Sequence, residues 1–351
     1  MLASSLRILP LTTIVRTRAL PVEGRVLVRP GQKVTPADVI AEALVNQKHS
    51  ILDVAAELGI PPAHADAALK VKRGQKISKG EVLGESSGIF GREALSPLDG
   101  LVVATGGGKV VLETGGAALQ IRAGLAGTVS QIIENRGAVL RASGALIQGC
   151  WGNGKMDSGI LAGLLKGADD TLEPSQLEVS LRGSIVLGGH VAELKTLQNA
   201  AEILVRGLIL ASLAPGLLSA AQQAPYPILL LEGFGKRPIG AQAFKLISTN
   251  LKREVSVNAE NFNRFKGTRP EIFISLPVGQ EPPEARDIET FSVGQLVRIN
   301  WLSRPAQSGT LTQLFEQPLR LPGGVLAPGA QIRLETGEVI SAPLSNLEAL
   351  G

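Results

Sequence analysis

The sequence predicts a β-rich α+β multidomain protein that includes a small doubly wound parallel α/β domain. Three observations predict this class. Phrases of strand, glycine turn and strand repeat through residues 20–155, continuous apolar runs alternate with helix-like segments over 180–275, and short strands return over 290–351. The composition agrees, because 41 Gly and only 3% aromatic residues leave Val, Ile, Leu and Ala to form the cores, as is typical of short strands and small α/β units.

A chain of 351 residues is longer than one ordinary core. With 44% hydrophobic and 19% charged residues it has the composition of a globular protein. We expect three domains, at residues 1–155, 156–276 and 288–351, with a linker rich in Pro and Glu at 277–287.

The first domain is predicted from an internal repeat. The phrase Pro21–Val26 is echoed by Pro97–Val102, and Gly31–Val34 is echoed by Gly74–Ile77. A looser third copy begins at Gly127. Each copy reads as two short strands around a glycine turn, whose Val, Ile and Leu positions fill a shared core. Ahead of the repeat, residues 6–20 are expected to form a peripheral strand.

These phrases resemble the barrel-sandwich hybrid motif. That motif occurs in biotinyl and lipoyl carrier domains, in the largest RNA polymerase subunit and in electron-transport complex subunits. The resemblance covers about residues 20–45 and 70–155. It implies a duplicated β-barrel, into which residues 50–69 insert two short helices. Ile51, Val54, Ala55 and Leu58 have helical spacing in this insertion, and Gly59 ends the first helix.

The α/β domain is predicted from three apolar runs, at 184–187, 206–211 and 227–231, each followed by a helix-like segment at about 191–203, 214–223 and 239–250. A fourth strand is expected at 253–257. Apolar strands that alternate with helices indicate a parallel sheet covered on both faces. Between the two domains, residues 149–178 read as a transition with a helix-like turn at 161–165.

The last domain is predicted from strand-like segments at 293–299, 308–311, 330–334 and 339–343 and a closing segment at 346–348. The pattern resembles an SH3-like barrel of the KOW type. In the families that it resembles, such barrels bind RNA, ribosomal or transcription proteins, or serve as packing modules. Candidate nucleic-acid or partner residues are Arg298, Trp301, Arg304 and Arg333.

Ligands of open parallel sheets bind beyond the carboxyl ends of the strands. The loops expected there supply the candidate ligand-binding residues Gly188, Gly189, His190, Ser212, Glu232, Gly233, Gly235, Lys236 and Arg237. Helix N-termini and the charges of Lys236 and Arg237 would favour a small anion. The chain has neither a G-x-G-x-x-G nor a Walker phosphate motif there, and glycines in such turns also serve packing alone. An enzyme or sensor would need Glu232, Lys236 and His190 to converge on one pocket.

Other chemistry-bearing residues favour ordinary structural roles. Lys109 follows three glycines, but it lacks the Met or Asp neighbour that marks the carrier lysine of the resembled families. Cys150 has no histidine at a spacing that would make it a nucleophile. The three histidines have no metal-ligand spacing, so we expect neither a metal nor a cofactor.

Composition and charge limit the remaining function classes. The net charge of +4 is a small excess, so charge alone does not favour nucleic-acid binding. The longest apolar run, at about 207–221, is too short to span a membrane. A single cysteine and the absence of a recognisable signal peptide predict a reducing, cytoplasmic location.

Without a catalytic constellation, the sequence favours a non-catalytic binding or scaffolding protein with a protein partner. A transcription or translation accessory factor that uses the KOW-like tail, and a ligand-binding protein or enzyme that uses the α/β crevice, stay open as alternatives. The sequence identifies neither the partner nor the oligomeric state.

Overall fold

The computed structural model describes residues 2–45, 48–86, 91–263, 268–280, 282–284, 289–300, 307–321 and 324–350. The fold is β-rich and consists of several sheets. The strands of the first half are β1 (Leu2–Leu6), β2 (Ile8–Ala19), β3 (Arg25–Val26), β4 (Lys33–Val34), β5 (Val39–Val45), β6 (Lys48–Asp53), β7 (Lys76–Ile77), β8 (Val82–Glu85), β9 (Glu93–Leu95), β10 (Gly100–Gly106), β11 (Lys109–Thr114), β12 (Ala117–Arg122), β13 (Gly127–Ile133), β14 (Gly137–Gln148), β15 (Trp151–Gly152) and β16 (Met156–Gly163).

The strands of the second half are β17 (Ser184–Val191), β18 (Gly207–Leu213), β19 (Ile228–Leu230), β20 (Glu254–Asn258), β21 (Glu271–Ser275), β22 (Glu289–Thr290), β23 (Leu296–Ile299), β24 (Gln307–Leu314), β25 (Leu319–Arg320), β26 (Leu326–Ala327), β27 (Gly329–Leu334), β28 (Val339–Pro343) and β29 (Leu347–Leu350). The helices are α1 (Val54–Leu58), α2 (Pro62–Ala65), α3 (Leu194–Glu202), α4 (Leu218–Gln223) and α5 (Ala241–Ser248). Short 3₁₀ turns lie at Asp66–Ala68, Pro174–Gln176, Val179–Leu181, Pro215–Leu217 and Leu344–Asn346.

The strand pairs β5–β12 and β6–β11 lie on either side of the point where the chain passes between two separate cores. Val45 lies opposite Ala117 and Lys48 lies opposite Thr114, so both pairings keep one register. Residues 48–114, which we call the outer module, have their own core, made of Val54, Leu58, Val71, Ile77, Leu83, Ala94, Val102, Val110 and Leu112. The two clear copies of the repeat therefore lie in different cores, because Gly74–Ile77 belongs to the outer module and Gly31–Val34 does not.

The helical insertion is shorter than predicted. Ile51 lies in β6, opposite Val111, and is 67% exposed, so its helical assignment was wrong. Cross-strand pairing outweighs the helical spacing of its apolar neighbours. Helix α1 begins after Asp53, whose side chain accepts a hydrogen bond from Ala56 N, and ends at Gly59 in the left-handed conformation.

One tight turn occurs three times in the residues that the structure describes, twice in the predicted repeat and once in the C-terminal segment. Gly31, Gly74 and Gly294 have φ of 78°, 88° and 89°, and each is followed by a glutamine. Each glutamine N–H donates to the carbonyl three residues earlier, at 3.1, 3.1 and 3.2 Å. Its side-chain Oε1 accepts from the N–H of that same earlier residue, at 3.2 Å in all three turns. The sequence x-x-Gly-Gln-x-Val/Ile thus produces one closed turn in three places of the described chain.

The largest sheet among the described residues has 11 strands, in the order β15-β19-β18-β17-β16-β20-β21-β14-β13-β4, with β2 paired to β14. Strands β16 to β19 are parallel. Helices α3 and α4 pack on one face through Leu197, Ala200 and Ala221, and α5 packs on the other through Ala243 and Ile247. Both faces of the parallel part are therefore covered, as its apolar runs predicted.

Two assignments near this sheet need correction. The helix-like turn at 161–165 was wrong, because residues 161–163 belong to strand β16. Gly159 and Gly163 have no side chain, so they interrupt the apolar pattern by which a strand is recognised in a sequence. Close packing requires glycine there, because a Cβ at either position would lie 2.9 Å from a neighbouring atom. The predicted fourth strand exists as β20, but it pairs antiparallel to β16.

The C-terminal sheet has the order β22-β1-β29-β23-β24-β27-β28 and, in the described residues, does not close into a barrel. Its strand β1 comes from the other end of the chain and pairs parallel to β29, with Leu6 opposite Leu350. The strand expected at residues 6–20 is the long β2, which pairs with β14 off the main path of the large sheet. Since sheets combine distant segments, and the large sheet continues past residue 155, the three-domain division stays a prediction.

Candidate functional site

The glycines at the end of β17 are inside a strand and not in an open loop. His190 N donates to Asp170 O at 2.8 Å, and Leu172 N donates to His190 O at 2.8 Å, so residues 170–172 cover this strand end. A Cβ on Gly189 would collide with Asp170 O, and one on Gly188 would lie 2.7 Å from the Leu172 side chain. Close packing therefore explains both glycines.

His190 and Ser212 form a buried pair at the ends of β17 and β18. His190 Nδ1 lies 3.0 Å from Ser212 Oγ, which accepts from Arg237 N at 3.0 Å and donates to Arg237 O at 3.1 Å. Burial, and then the positive charge of Lys236, lowers the pKa of His190 below its ordinary value, which favours the neutral form of the ring. The pair anchors the loop that follows β19.

That loop, residues 232–237, folds back onto β18. Leu213 N donates to Gly233 O, and Gly235 N donates to Leu213 O, both at 3.0 Å. Gly233 and Gly235 have φ of 91° and 82°, which favours glycine at both positions. Phe234 packs edge-on against Trp151, with ring centroids 5.7 Å apart. The loop is thus held on both sides.

Glu232 and Arg298, which the sequence assigned to two different sites, form one ion pair between Glu232 Oε2 and Arg298 Nη2. Their side chains are only 8% and 12% exposed. Glu232 Oε1 also accepts from Gly240 N, at 2.9 Å, just before α5. A carboxylate of the protein itself therefore occupies the helix start at which the sequence predicted an external anion.

A second buried pair lies beside the first. Arg269 Nη2 contacts Glu348 Oε1 at 2.7 Å, and Glu348 is opposite Arg298 on neighbouring strands. Burial acts to raise the pKa of Glu348, but Arg269, Asn300 and Arg298 together lower it below its ordinary value. The C-terminal sheet thus contributes Glu348 and Arg298 to the two ion pairs. Their partners, Arg269 and Glu232, come from the preceding part of the chain.

Cys150 lies near these pairs, and burial and charge act against ionisation of its thiol. Its Sγ donates to Leu230 O at 3.4 Å. Burial, and then the charge of Glu232, raises the pKa of Cys150 to about 12. The thiol is therefore protonated at neutral pH, and the structural role expected for Cys150 stays a prediction.

A cleft of about 370 Å³ lies between the start of α5 and the C-terminal sheet. Its apolar side chains are Leu6, Ile8, Pro238, Ile239, Ala241, Leu334 and Leu350, and its polar ones are Glu232, Arg237, Gln242, Arg298, Gln307, Ser308, Glu335 and Thr336. Of the candidate α/β residues, Glu232 and Arg237 line it, whereas Gly188, Gly189, His190, Ser212, Gly233, Gly235 and Lys236 do not. The convergence that an enzyme would need is not observed.

The remaining candidates are dispersed. Arg333 is exposed on β27, and Trp301 and Arg304 lie outside the described residues. Lys109 Nζ lies 3.5 Å from Asp53, and the adjacent Gly108 is packed against Ala55 and Ala65, so α1 and α2 cover one side of this hairpin. Within the described part of the chain, no group of three or more His, Cys, Asp or Glu side chains could hold a metal ion.

Comparison with known protein families and with curated proteins finds no family model and no curated protein that matches this chain. In the part of the chain that the structure describes, no helix is long and apolar enough to cross a membrane.

Proposed function

We propose that this chain is a non-catalytic binding protein that holds a small polar molecule without net charge in the cleft between α5 and the C-terminal sheet. The observation that carries the proposal is the cleft of about 370 Å³, whose lining includes two acidic and two basic side chains, of which Glu232 and Arg298 form an ion pair. This volume lies within the range of roughly 300–1,000 Å³ that is usual for small-molecule sites.

The position of the cleft supports the proposal. It lies beyond the carboxyl end of β19, where open parallel sheets bind ligands. Its opposite wall comes from Gln307, Ser308 and the turn after β27, so two sheets enclose it. Both walls are held by the Glu232–Arg298 contact, which makes the site largely preformed.

The charge of the lining selects the ligand class. Arg298 is neutralised by Glu232, and the lining contains one further arginine, Arg237, and one further carboxylate, Glu335, so its formal charges sum to zero. An added anion would compete with Glu232 for Arg298 and for the start of α5. A zwitterionic or neutral polar molecule would instead use the donors and acceptors without unbalanced charge. We therefore propose a zwitterionic or neutral ligand in place of the small anion that the sequence suggested.

The resemblances to a barrel-sandwich hybrid and to an SH3-like barrel are kept as proposals for the architecture around the site. The shared Gly-Gln turn supports a common local design in the two N-terminal cores and the tail. In this arrangement the C-terminal sheet acts as one wall of a ligand site.

A thermal-shift experiment tests the function. Free amino acids, neutral polyols and inorganic phosphate would be compared as probes on the full chain. We expect a zwitterionic or neutral probe to raise Tm and phosphate to have no effect. A response to phosphate alone would overturn the assignment of the ligand class, and no response to any probe would overturn the cleft as a binding site.

A cleft-filling variant localises the binding. Thr336→Trp places a large side chain at an exposed lining position, and Glu338→Trp places the same group on the same turn outside the lining. The first variant is expected to abolish the ligand-induced shift and the second to retain it. Loss in both variants would show that the shift does not arise from the cleft.

A further inference from the structure

The outer module carries a run of positive charge that the proposed function does not use. Lys70, Lys72, Arg73, Lys76 and Lys79 occur within ten residues that contain no acidic residue. Lys70 pairs with Glu85 at 3.1 Å. The other four, which we call the basic face, are exposed and form no ion pair with any described residue.

The backbone beneath the basic face is held by hydrogen bonds. Gln75 closes the turn on Lys72 through its backbone and its side chain, and Gly74 N donates to Val102 O at 2.7 Å. Val71 and Ile77 are 5% and 3% exposed, so they anchor the segment in the core and leave the charged neighbours outside. The cations are therefore presented on a preformed support, which limits the entropy lost on binding.

The turn itself does not require these charges. The tail copy of the same turn has Ser292 and Leu296 where the outer module has Lys72 and Lys76. Its hydrogen bonds are the same. The copy in the first core has exposed Arg29 and Lys33 at these two positions. Charge is thus an added property of two of the three turns and not a condition for folding.

The basic face lies beside the start of β10, since Lys76 is opposite Leu101. Glu113 is opposite Leu101 on the other side of β10, and Asp53 and Asp66 lie at its far end, around Gly108. Strand β10 (Gly100–Gly106) has seven residues and spans about 20 Å. Glu81 and Asp99, which border the basic face, accept backbone N–H groups of Ser78 and Lys79 at 2.9 and 2.8 Å.

We propose that the basic face binds the phosphate backbone of a nucleic acid, without reading its sequence. The exposed side chains of residues 72–79 include lysine and arginine but no aromatic residue. Protein interfaces are depleted in lysine and enriched in aromatic residues, whereas phosphate contacts are made mainly by lysine and arginine. Without bases stacked on aromatic rings, the contact has the chemistry of a backbone clamp.

The test is fluorescence anisotropy of the full chain with labelled single-stranded and duplex DNA of random sequence, over about 50 to 200 mM salt. The variant K72Q/R73Q/K76Q/K79Q removes the basic face. The control K195Q/K245Q/K252Q/R253Q removes three lysines and one arginine from exposed positions of the α/β part. Far-UV circular dichroism checks that both variants fold.

For each of the two DNA probes, we expect the control variant to bind with the same affinity as the wild type. The basic-face variant should bind single strands with a slope of log affinity against log salt that is shallower by about 3, for four contacts of about 0.7 each. Equal losses in the two variants, or no binding by wild type at low salt, would overturn the proposal. Equally tight binding of poly-glutamate would point to an acidic protein and would also overturn it. Because the cleft is not involved, the thermal-shift result with small molecules is independent of this outcome.

Discussion

Glu232 and Arg298 are 66 residues apart in the sequence and form a buried ion pair that joins the parallel sheet to the C-terminal sheet. Glu232 also accepts from Gly240 N, so one carboxylate fixes the loop after β19, the start of α5 and the tail. Breaking such a pair leaves a charge buried without its partner.

We therefore expect Arg298→Met and Glu232→Gln to lower the free energy of unfolding by about 3–5 kcal/mol each. The double variant should lose clearly less than the sum of the two, because neither charge is then left alone. Urea denaturation of all four proteins measures this coupling. Additive losses would show that the two side chains do not act as a pair.

The shared Gly-Gln turn makes a prediction for its three glycines. Gly31→Ala, Gly74→Ala and Gly294→Ala meet no atom within 4 Å, so only their positive φ opposes the change. Each should cost about 1–2 kcal/mol in unfolding free energy. Gly216→Ala, also in open space but without a positive φ, is the control and should be close to neutral. A similar effect at all four positions would refute the assignment of this cost to φ.

Gly189 tests whether the glycines after β17 serve packing. A Cβ there would collide with Asp170 O in the backbone, so Gly189→Ala should destabilise the fold by about 1–3 kcal/mol. Gly106→Ala has open space around it and serves as the control. Thermal unfolding compares them, and a stable Gly189→Ala protein would mean that residues 170–172 do not cover this strand end.

Cys150 predicts a dependence of stability on alkaline pH. Its folded pKa of about 12 lies above the value of about 8.5 for an unfolded chain, so the unfolded thiol ionises first. Its contribution to stability is complete below about pH 8.5 and is lost as pH rises towards 12. Stability should fall more steeply in this window for wild type than for Cys150→Ser. Parallel curves would contradict the raised pKa.

The Cys150 thiol should react slowly with a disulfide reagent in the folded protein and quickly in denaturant, because burial in the folded protein keeps the thiol protonated and only the thiolate reacts. Equal rates in both states would show that Cys150 is accessible.

The pattern of local residues predicted part of the site and could not predict the rest. Glu232 and Arg237 were identified because they follow an apolar strand, and both line the cleft. Gln307, Ser308 and Thr336 were missed, since nothing in their neighbourhood shows that the tail forms the opposite wall. His190 and Gly189 were assigned to an open loop because the covering segment at 170–172 has no strand-like pattern.

By itself, the sequence determined the β-rich class, the apolar strands of the parallel sheet and the glycine turns, because period, propensity and φ are local properties. Only the tertiary structure decided that β1 pairs with β29, that the repeat copies lie in two cores, and that Glu232 neutralises Arg298. These depend on contacts between distant segments, and long-range pairing is selected by the packing and desolvation of the whole chain.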